Sequence, residues 1–209
     1  MAKIKEIKAR EILNAKGSLT IEVTVITDNG KSGRASSATG KEAVRYENVN
    51  LTDTKAIDNV VNVIAPKLIG KQIENQPEID KIMIDLDGTQ NKSKLGANAT
   101  LAVSMAVART GAKDMNLPLY SYLKQFIKKD HVAPKIPVPI FNLVNGGGKD
   151  NRLPDFHEFL IIPASSKTYL ECLQMGEEIR EATKQVIEMK YAKTLDEYDE
   201  GFPAEVQTN

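Results

Sequence analysis

Residues 79–109 read IDKIMIDLDGTQNKSKLGANATLAVSMAVAR. The stretch predicts one helix, a sharp stop at Asp87-Gly88, a charged polar loop, and a second helix almost without charge. Leu95, Ala97, Ala99, Leu101, Ala102, Val103, Met105, Ala106, Val107 and Ala108 place apolar residues on nearly every face of the second helix. A helix of that kind is expected to be covered by neighbours on all sides. Its apolar run is roughly half the 20 residues that a membrane crossing needs, so it reads as a buried core helix. Ser93 is the expected N-cap. In the preceding helix Pro77 suits the first position, and Ile79, Ile82, Met83 and Leu86 form the apolar stripe.

N-terminal to this stretch, the pattern changes from helical to extended. Ile4, Ile7 and Ile12 fall among Lys and Glu with one slip in spacing, and Gly17-Ser18 makes a turn. Ile21, Val23 and Val25 then follow at strict period two, as in a half-buried strand. Asp28-Asn29-Gly30 suits a hairpin turn. GRASSATG, Gly33 to Gly40, is small and polar and is expected to be a mobile loop. Ile57, Val60, Val61, Ile64 and Leu68 share a helical face, with Thr52 or Asp53 as cap, Gly70 as stop, and Pro66 ending or kinking the helix early. Leu119, Tyr122, Leu123 and Phe126 suggest a further short helix.

Beyond that helix, KKDHVAPKIPVP is rich in proline and charge and reads as a linker. PVPIFNLV then predicts an apolar strand running into Asn145-Gly146-Gly147-Gly148. Phe159 to Ile162 predict a second strand. Thr168-x-x-Glu171 resembles a capping box opening a long helix through Leu173, Ile179, Ala182, Val186 and Met189. The expected fold class is an α+β N-terminal domain, with a short antiparallel sheet followed by helices, plus an incomplete α/β barrel segment. The expected boundaries are 1–126 for the α+β domain, 127–137 for the linker and 138–209 for the barrel segment.

Composition excludes several function classes. Of 209 residues, 41% are hydrophobic and 27% charged, which is ordinary for a folded soluble chain. Lys+Arg and Asp+Glu both number 28, so neither nucleic acid nor an anionic membrane is an expected partner. One cysteine, Cys172, allows no internal disulfide framework and suits a reducing compartment. MAKIKEIKAREIL lacks the continuous apolar core of a signal peptide, and the expected location is cytoplasmic.

Several residues carry possible chemistry. The Gly146-Gly147-Gly148 run after a strand fits either a structural turn or a backbone approach to an anion. His157 and Glu158 suit acid–base work, although strand alternation sends adjacent side chains to opposite faces. The acidic run Asp196-Glu197-Tyr198-Asp199-Glu200 fits a solvated surface, a cation site or a general acid. Cys172 sits within the helical pattern and reads as a packed thiol.

LDGT-x-NKSKLGANA closely resembles the enolase family, the phosphopyruvate hydratases of glycolysis. REILNAKGSLTIEV, NVVNVIAPKLIGK, IDKIMIDLDGT, LPLYSYL, PVPIFNLVNGG, EFLIIP and LQMGEEI resemble family segments in the family's order. The resemblance implies a small α+β domain followed by the start of a barrel. A whole barrel needs about 250 residues, so only its first strands and helix are expected here. It further implies 2-phosphoglycerate as substrate and Mg²⁺ as cofactor. In this superfamily a Lys or His base acts with one or two Mg²⁺ ions that stabilise an ene-diolate. The family's catalytic lysine and its three principal metal carboxylates lie late in the barrel, and no position among residues 1–209 matches them.

The resemblance also assigns roles to residues that are present. Glu158 matches a substrate-site glutamate, His157 stands where Gln is usual, and Lys149 falls on a substrate-contacting histidine. A lysine there can pair with phosphate but cannot reproduce imidazole acid–base chemistry near neutral pH. The general-acid segment G-D-E-G-G appears as Tyr198-Asp199-Glu200-Gly201-Phe202-Pro203. Glu200 is its best match, and Glu197 is the shifted alternative. In the loop that helps bind the second magnesium, Ala38 falls on the family's serine, leaving Ser37 as a displaced substitute. Glu22 matches a residue that pairs across the family's dimer interface, so a homodimer or association with full-length enolase is expected. Three readings of function result: a pseudoenzyme inactive as an isolated chain, the N-terminal half of a split active enolase, and an interaction or regulatory partner of full-length enolase.

Overall fold

A computed structural model describes residues 2–15, 17–38, 47–127, 135–145, 158–163, 167–191 and 201–203. The chain divides into two units, Met1–Asp130 and His131–Asn209.

The first unit opens with β1 (Ile4–Leu13), β2 (Leu19–Thr27) and β3 (Ser32–Ser36), an antiparallel sheet in the order β1-β2-β3. The slip in the early isoleucine spacing is a register irregularity between Ile4 and Glu6, which lets Ile4 and Ile7 both face inward. Ile21, Val23 and Val25 alternate into the core as their period requires. The expected mobile loop from Gly33 to Gly40 is corrected in its first half. Gly33 to Ser36 belong to strand β3, because small residues at alternate positions let the strand lie against a helix. A Cβ on Gly33 would meet Thr110 Oγ1 at 2.6 Å. Residues 39–46 lie outside the described residues.

A continuous helical segment follows: α1 (Asp53–Asp58), a π-helical stretch (Asn59–Ile64) and α2 (Ala65–Leu68). Of the two expected effects of Pro66, ending or kinking the helix, ending does not occur, since the helix runs on to Leu68. The i→i−5 bond from Ala65 N–H to Val60 O closes the π stretch just before it, so the register changes where proline has no N–H to lose. The wider turn also rotates the apolar face, and Val61, expected on the buried stripe, is exposed instead. Helix α3 (Gln76–Asp87) carries Pro77 in its first turn and ends at Gly88, whose φ of 68° is the left-handed conformation that glycine tolerates.

Helix α4 (Ala97–Asp114) is the expected core helix. Ala99, Ala102, Val103, Ala106 and Val107 are fully buried against the sheet and the other helices. Coverage on all sides is corrected, since Leu101 is 51% exposed and Arg109 is also outward. Ser93 is not the N-cap either. The polar loop takes a compact turn first, with Ser93 N–H donating to Thr89 Oγ1 at 2.9 Å, and the helix starts only after Gly96. Helix α5 (Leu119–Lys124) seats Tyr122 under α4, where its hydroxyl reaches Ile73 O and Glu74 O at 3.5 and 3.4 Å. Burial, together with the Asp80 and Glu74 charges, pushes that phenol up to about 12.

The loop between α3 and α4 is organised by Asp87, which is 2% exposed. Its Oδ2 accepts the Leu95 N–H at 2.7 Å, and its Oδ1 accepts from the Thr89 N–H at 3.0 Å and from the Thr89 hydroxyl. Burial alone would raise this carboxyl. The Thr89 hydroxyl, the two N–H groups and the Lys92 charge together hold it below its ordinary value of 3.8. From there the network spreads. Asn59 Nδ2 donates to Leu95 O at 2.9 Å, and Asn98 holds Leu51 by its N–H and its carbonyl.

In the second unit, β4 (Phe141–Asn145) pairs antiparallel with β5 (Glu158–Ile161) and parallel with β6 (Phe202–Pro203). The strand expected from Pro137 starts only at Phe141, past Pro137 and Pro139, which bring no N–H to a ladder. Helix α6 (Tyr169–Tyr191) begins with the expected capping box. Thr168 N–H donates to Glu171 Oε2 at 2.7 Å, and Glu171 N–H donates to Thr168 Oγ1 at 3.3 Å. Those bonds from Thr168 hold the Glu171 carboxyl below the usual range. Cys172, Gly176 and Ile187 are buried, and a Cβ on Gly176 would fall 2.3 Å from the Phe141 ring. Leu173, Ala182, Val186 and Met189 are exposed. Among the described residues there is no closed barrel, and no helix is long and apolar enough to cross a membrane.

Replacing Asp87 by Ala is expected to cost about 3 kcal/mol in urea unfolding, because it orphans the buried Leu95 N–H and removes charge-assisted bonds. The sign with pH follows from the lowered carboxyl. Its contribution is complete above 3.8 and is lost as pH falls through the folded-state value. The gap in unfolding midpoint between the parent and Asp87→Ala should therefore narrow from neutral pH into acid.

Candidate functional site

Of the residues singled out for chemistry, the described structure places Ser37 in the first unit and Glu158 in the second. Lys149, His157, Glu197 and Glu200 lie outside the described residues, as do Gly146 to Gly148.

Ser37 is the first residue beyond β3 and is 3% exposed. Its N–H donates to Ile21 O at 3.2 Å, continuing the β2–β3 ladder by one more pair. Its carbonyl accepts from Thr20 Oγ1 at 2.7 Å, and its own hydroxyl lies 3.3 Å from Ala38 O. The hydroxyl is thus turned into the protein, onto a neighbouring carbonyl. Thr20 itself is buried. Beside it, a small cavity of about 90 Å³ is lined by Thr20, Ala38, Asn50, Leu51, Asp53 and Asn98. The role of Thr20 as the anchor of Ser37 was not evident in the sequence, where Thr20 reads only as the polar residue before an alternating strand.

Glu158 opens β5 directly across from Asn145, the last residue of β4. On its other side Asn145 pairs with Pro203 of β6. Glu158 is therefore at the C-terminal end of β4, the end at which barrel-type folds gather their functional side chains. Its side chain is exposed. Asn142 Nδ2 donates to Asn145 Oδ1 at 2.6 Å, tying the last turns of β4 together. Gly201 lies close under Asn142, at a position where a Cβ would fall 2.6 Å from Asn142 Oδ1. The strand pattern alone carries no signal for this asparagine pair. On the far side of β6, the Arg180 guanidinium sits 5.0 Å above the Phe202 ring.

Among the described residues no three His, Cys, Asp or Glu side chains gather as a metal site would require. Cys172, expected as a packed thiol, is buried within α6. The expected interface residue Glu22 is engaged within its own chain, where Arg10 Nη2 lies 2.7 Å and Nε 2.9 Å from Glu22 Oε1.

A three-stranded antiparallel sheet backed by helices, followed by a strand–strand–helix unit with a carboxylate at a strand's C-terminal end, defines a two-domain protein of the α+β and barrel type. Residues 4–123 match the family model described as enolase, N-terminal domain, and residues 133–209 match that described as enolase, C-terminal TIM barrel domain. The chain belongs to the enolase family.

Thr20→Val keeps the shape of the side chain but removes the donor to Ser37 O. It should lower stability by about 1 kcal/mol and speed amide exchange at Ser37. Unchanged exchange at Ser37 would show that the hydroxyl does not hold this corner of the sheet.

Proposed function

We propose that this chain is an enolase-like protein without phosphopyruvate hydratase activity of its own, a pseudoenzyme as an isolated chain. The observation that carries the reading is Ser37. The residue nearest to the family's magnesium-binding serine is buried, its backbone bound to Thr20 and Ile21 and its hydroxyl facing Ala38 O. Ala38, on the serine position itself, has no oxygen in its side chain to offer.

A magnesium ion wants several hard oxygen ligands in near-octahedral array, and among the described residues no three His, Cys, Asp or Glu gather to offer them. The substrate side is altered in the same direction. Lys149 replaces an imidazole, and the general-acid segment around Glu200 and Glu197 departs from the family's pattern. Metal binding and proton transfer supply the electrostatic term, which is usually the largest part of the roughly 8 kcal/mol or more that enzymes supply, and these changes touch both. Glu158, exposed at the C-terminal end of β4, is then a retained fragment of a binding site.

A second reading rests on a separate observation. In the second unit Ile136, Ile140, Leu160, Ile162, Val186 and Met189 are exposed, up to 77% for Met189. Apolar surface of that kind favours association with another chain, such as a full-length enolase or one that supplies further barrel strands.

The experiment is dehydration of 2-phosphoglycerate by the purified 209-residue chain with saturating Mg²⁺, followed by phosphoenolpyruvate absorbance. The expected rate is that of the buffer. A rate well above it sinks the pseudoenzyme reading. Activity appearing only after mixing with a chain that carries the remaining barrel strands would instead establish the split-enzyme alternative. Light scattering on a mixture with full-length enolase tests the partner reading, which fails if the two elute separately.

A further inference from the structure

Strand β3 is an edge of the first sheet. In its ladder with β2, Thr27 N–H donates to Lys31 O and Ser37 N–H donates to Ile21 O. Antiparallel alternation therefore turns the backbone groups of Lys31, Gly33, Ala35 and Ser37 toward β2 and those of Ser32, Arg34 and Ser36 outward. Such a row of outward N–H and C=O groups is a template on which another strand can pair.

Helix α4 occupies the acceptors of that template. Arg109 Nη1 donates to Arg34 O at 2.9 Å, and Lys113 Nζ donates to Ser32 O at 2.7 Å. The two spacings match. Residues four apart on a helix are separated by about 6 Å along its axis, and outward carbonyls two residues apart on a strand by about 6.7 Å. Gly33 brings the helix close enough for both side chains to reach, since α4 backbone and Thr110 lie where its Cβ would be. The cations bridge the mouth of a cavity of about 520 Å³ whose wall includes Ala112, Leu117 and Leu119. A strand arriving at β3 would have to displace both donors and place its own N–H groups beside two positive charges.

We infer that Arg109 and Lys113 guard the β3 edge, preventing a second copy of this chain from adding a strand there. The test compares the full chain with Arg109→Met/Lys113→Met and with Lys55→Met/Lys67→Met, which removes the same charge from exposed positions on α1 and α2. Sedimentation velocity over a concentration series should show the guard variant gaining mass while the parent and the control behave alike. Amide exchange at Arg34 and Ser36 should slow roughly tenfold in the associated variant, as expected for amides newly bonded in a ladder. Three outcomes overturn the inference: mass equal to that of the parent, association without slowing at those two amides, or loss of protection at Val23 and Val25. The last would mean that the pair holds the sheet to the helix instead of guarding its edge.

Discussion

The first unit depends on one buried carboxylate. Asp87 ends α3, receives the Leu95 N–H just before α4, and so fixes the angle at which the core helix leaves its loop. Everything in contact with that loop inherits its position. Asn59 reads the Lys94 and Leu95 carbonyls from the π-helical stretch, and Asn98 clamps Leu51 from the first turn of α4. A buried charge is tolerated only when its lone pairs are filled, and here they are filled by the Leu95 and Thr89 N–H groups and the Thr89 hydroxyl of the loop.

The same economy of polar groups governs Ser37. A serine at the end of an edge strand has two uses for its polar atoms: to extend the ladder or to face solvent and a ligand. Thr20 and Ile21 draw its backbone into the sheet, and the hydroxyl follows the chain inward. A ligand oxygen for a hard cation must be presented outward, with others, at a fixed distance. Among the described residues, the Ser37 hydroxyl faces Ala38 O instead.

Much of the first unit was legible because its signals are local. Period two at Ile21, Val23 and Val25, the αL glycine after Asp87 and the small-residue run of α4 each report on a backbone conformation within a few residues. Where reading failed, the deciding partner was distant in sequence. β3 is a strand because Thr110, far along the chain, accepts a glycine against it. Ser93 lost the cap because Asp87 and Thr89 claimed the loop first. In α6 the seated face is marked by a glycine, Gly176, which admits the Phe141 ring. The candidate site was less legible still. The resemblance assigned Glu158, Lys149 and Glu200 their roles, whereas periodicity gave only Glu158 a strand to stand on.

Fold and chemistry make different demands on a chain. The core of the first unit is a set of apolar contacts that tolerate change as long as volume and pattern are kept. Ile4, Val25, Ile79 and Val103 meet that demand within residues 1–130 alone. A barrel-type site asks for side chains from several strand ends at once, each at a set distance from the reacting atoms. One altered position can be absorbed by such a site only if the others hold. With alanine on the serine position, Ser37 turned inward and a lysine in place of an imidazole, the changes fall on metal binding and proton transfer together. Those two functions act on one intermediate, and in a site that works as a unit losing one costs nearly as much as losing both.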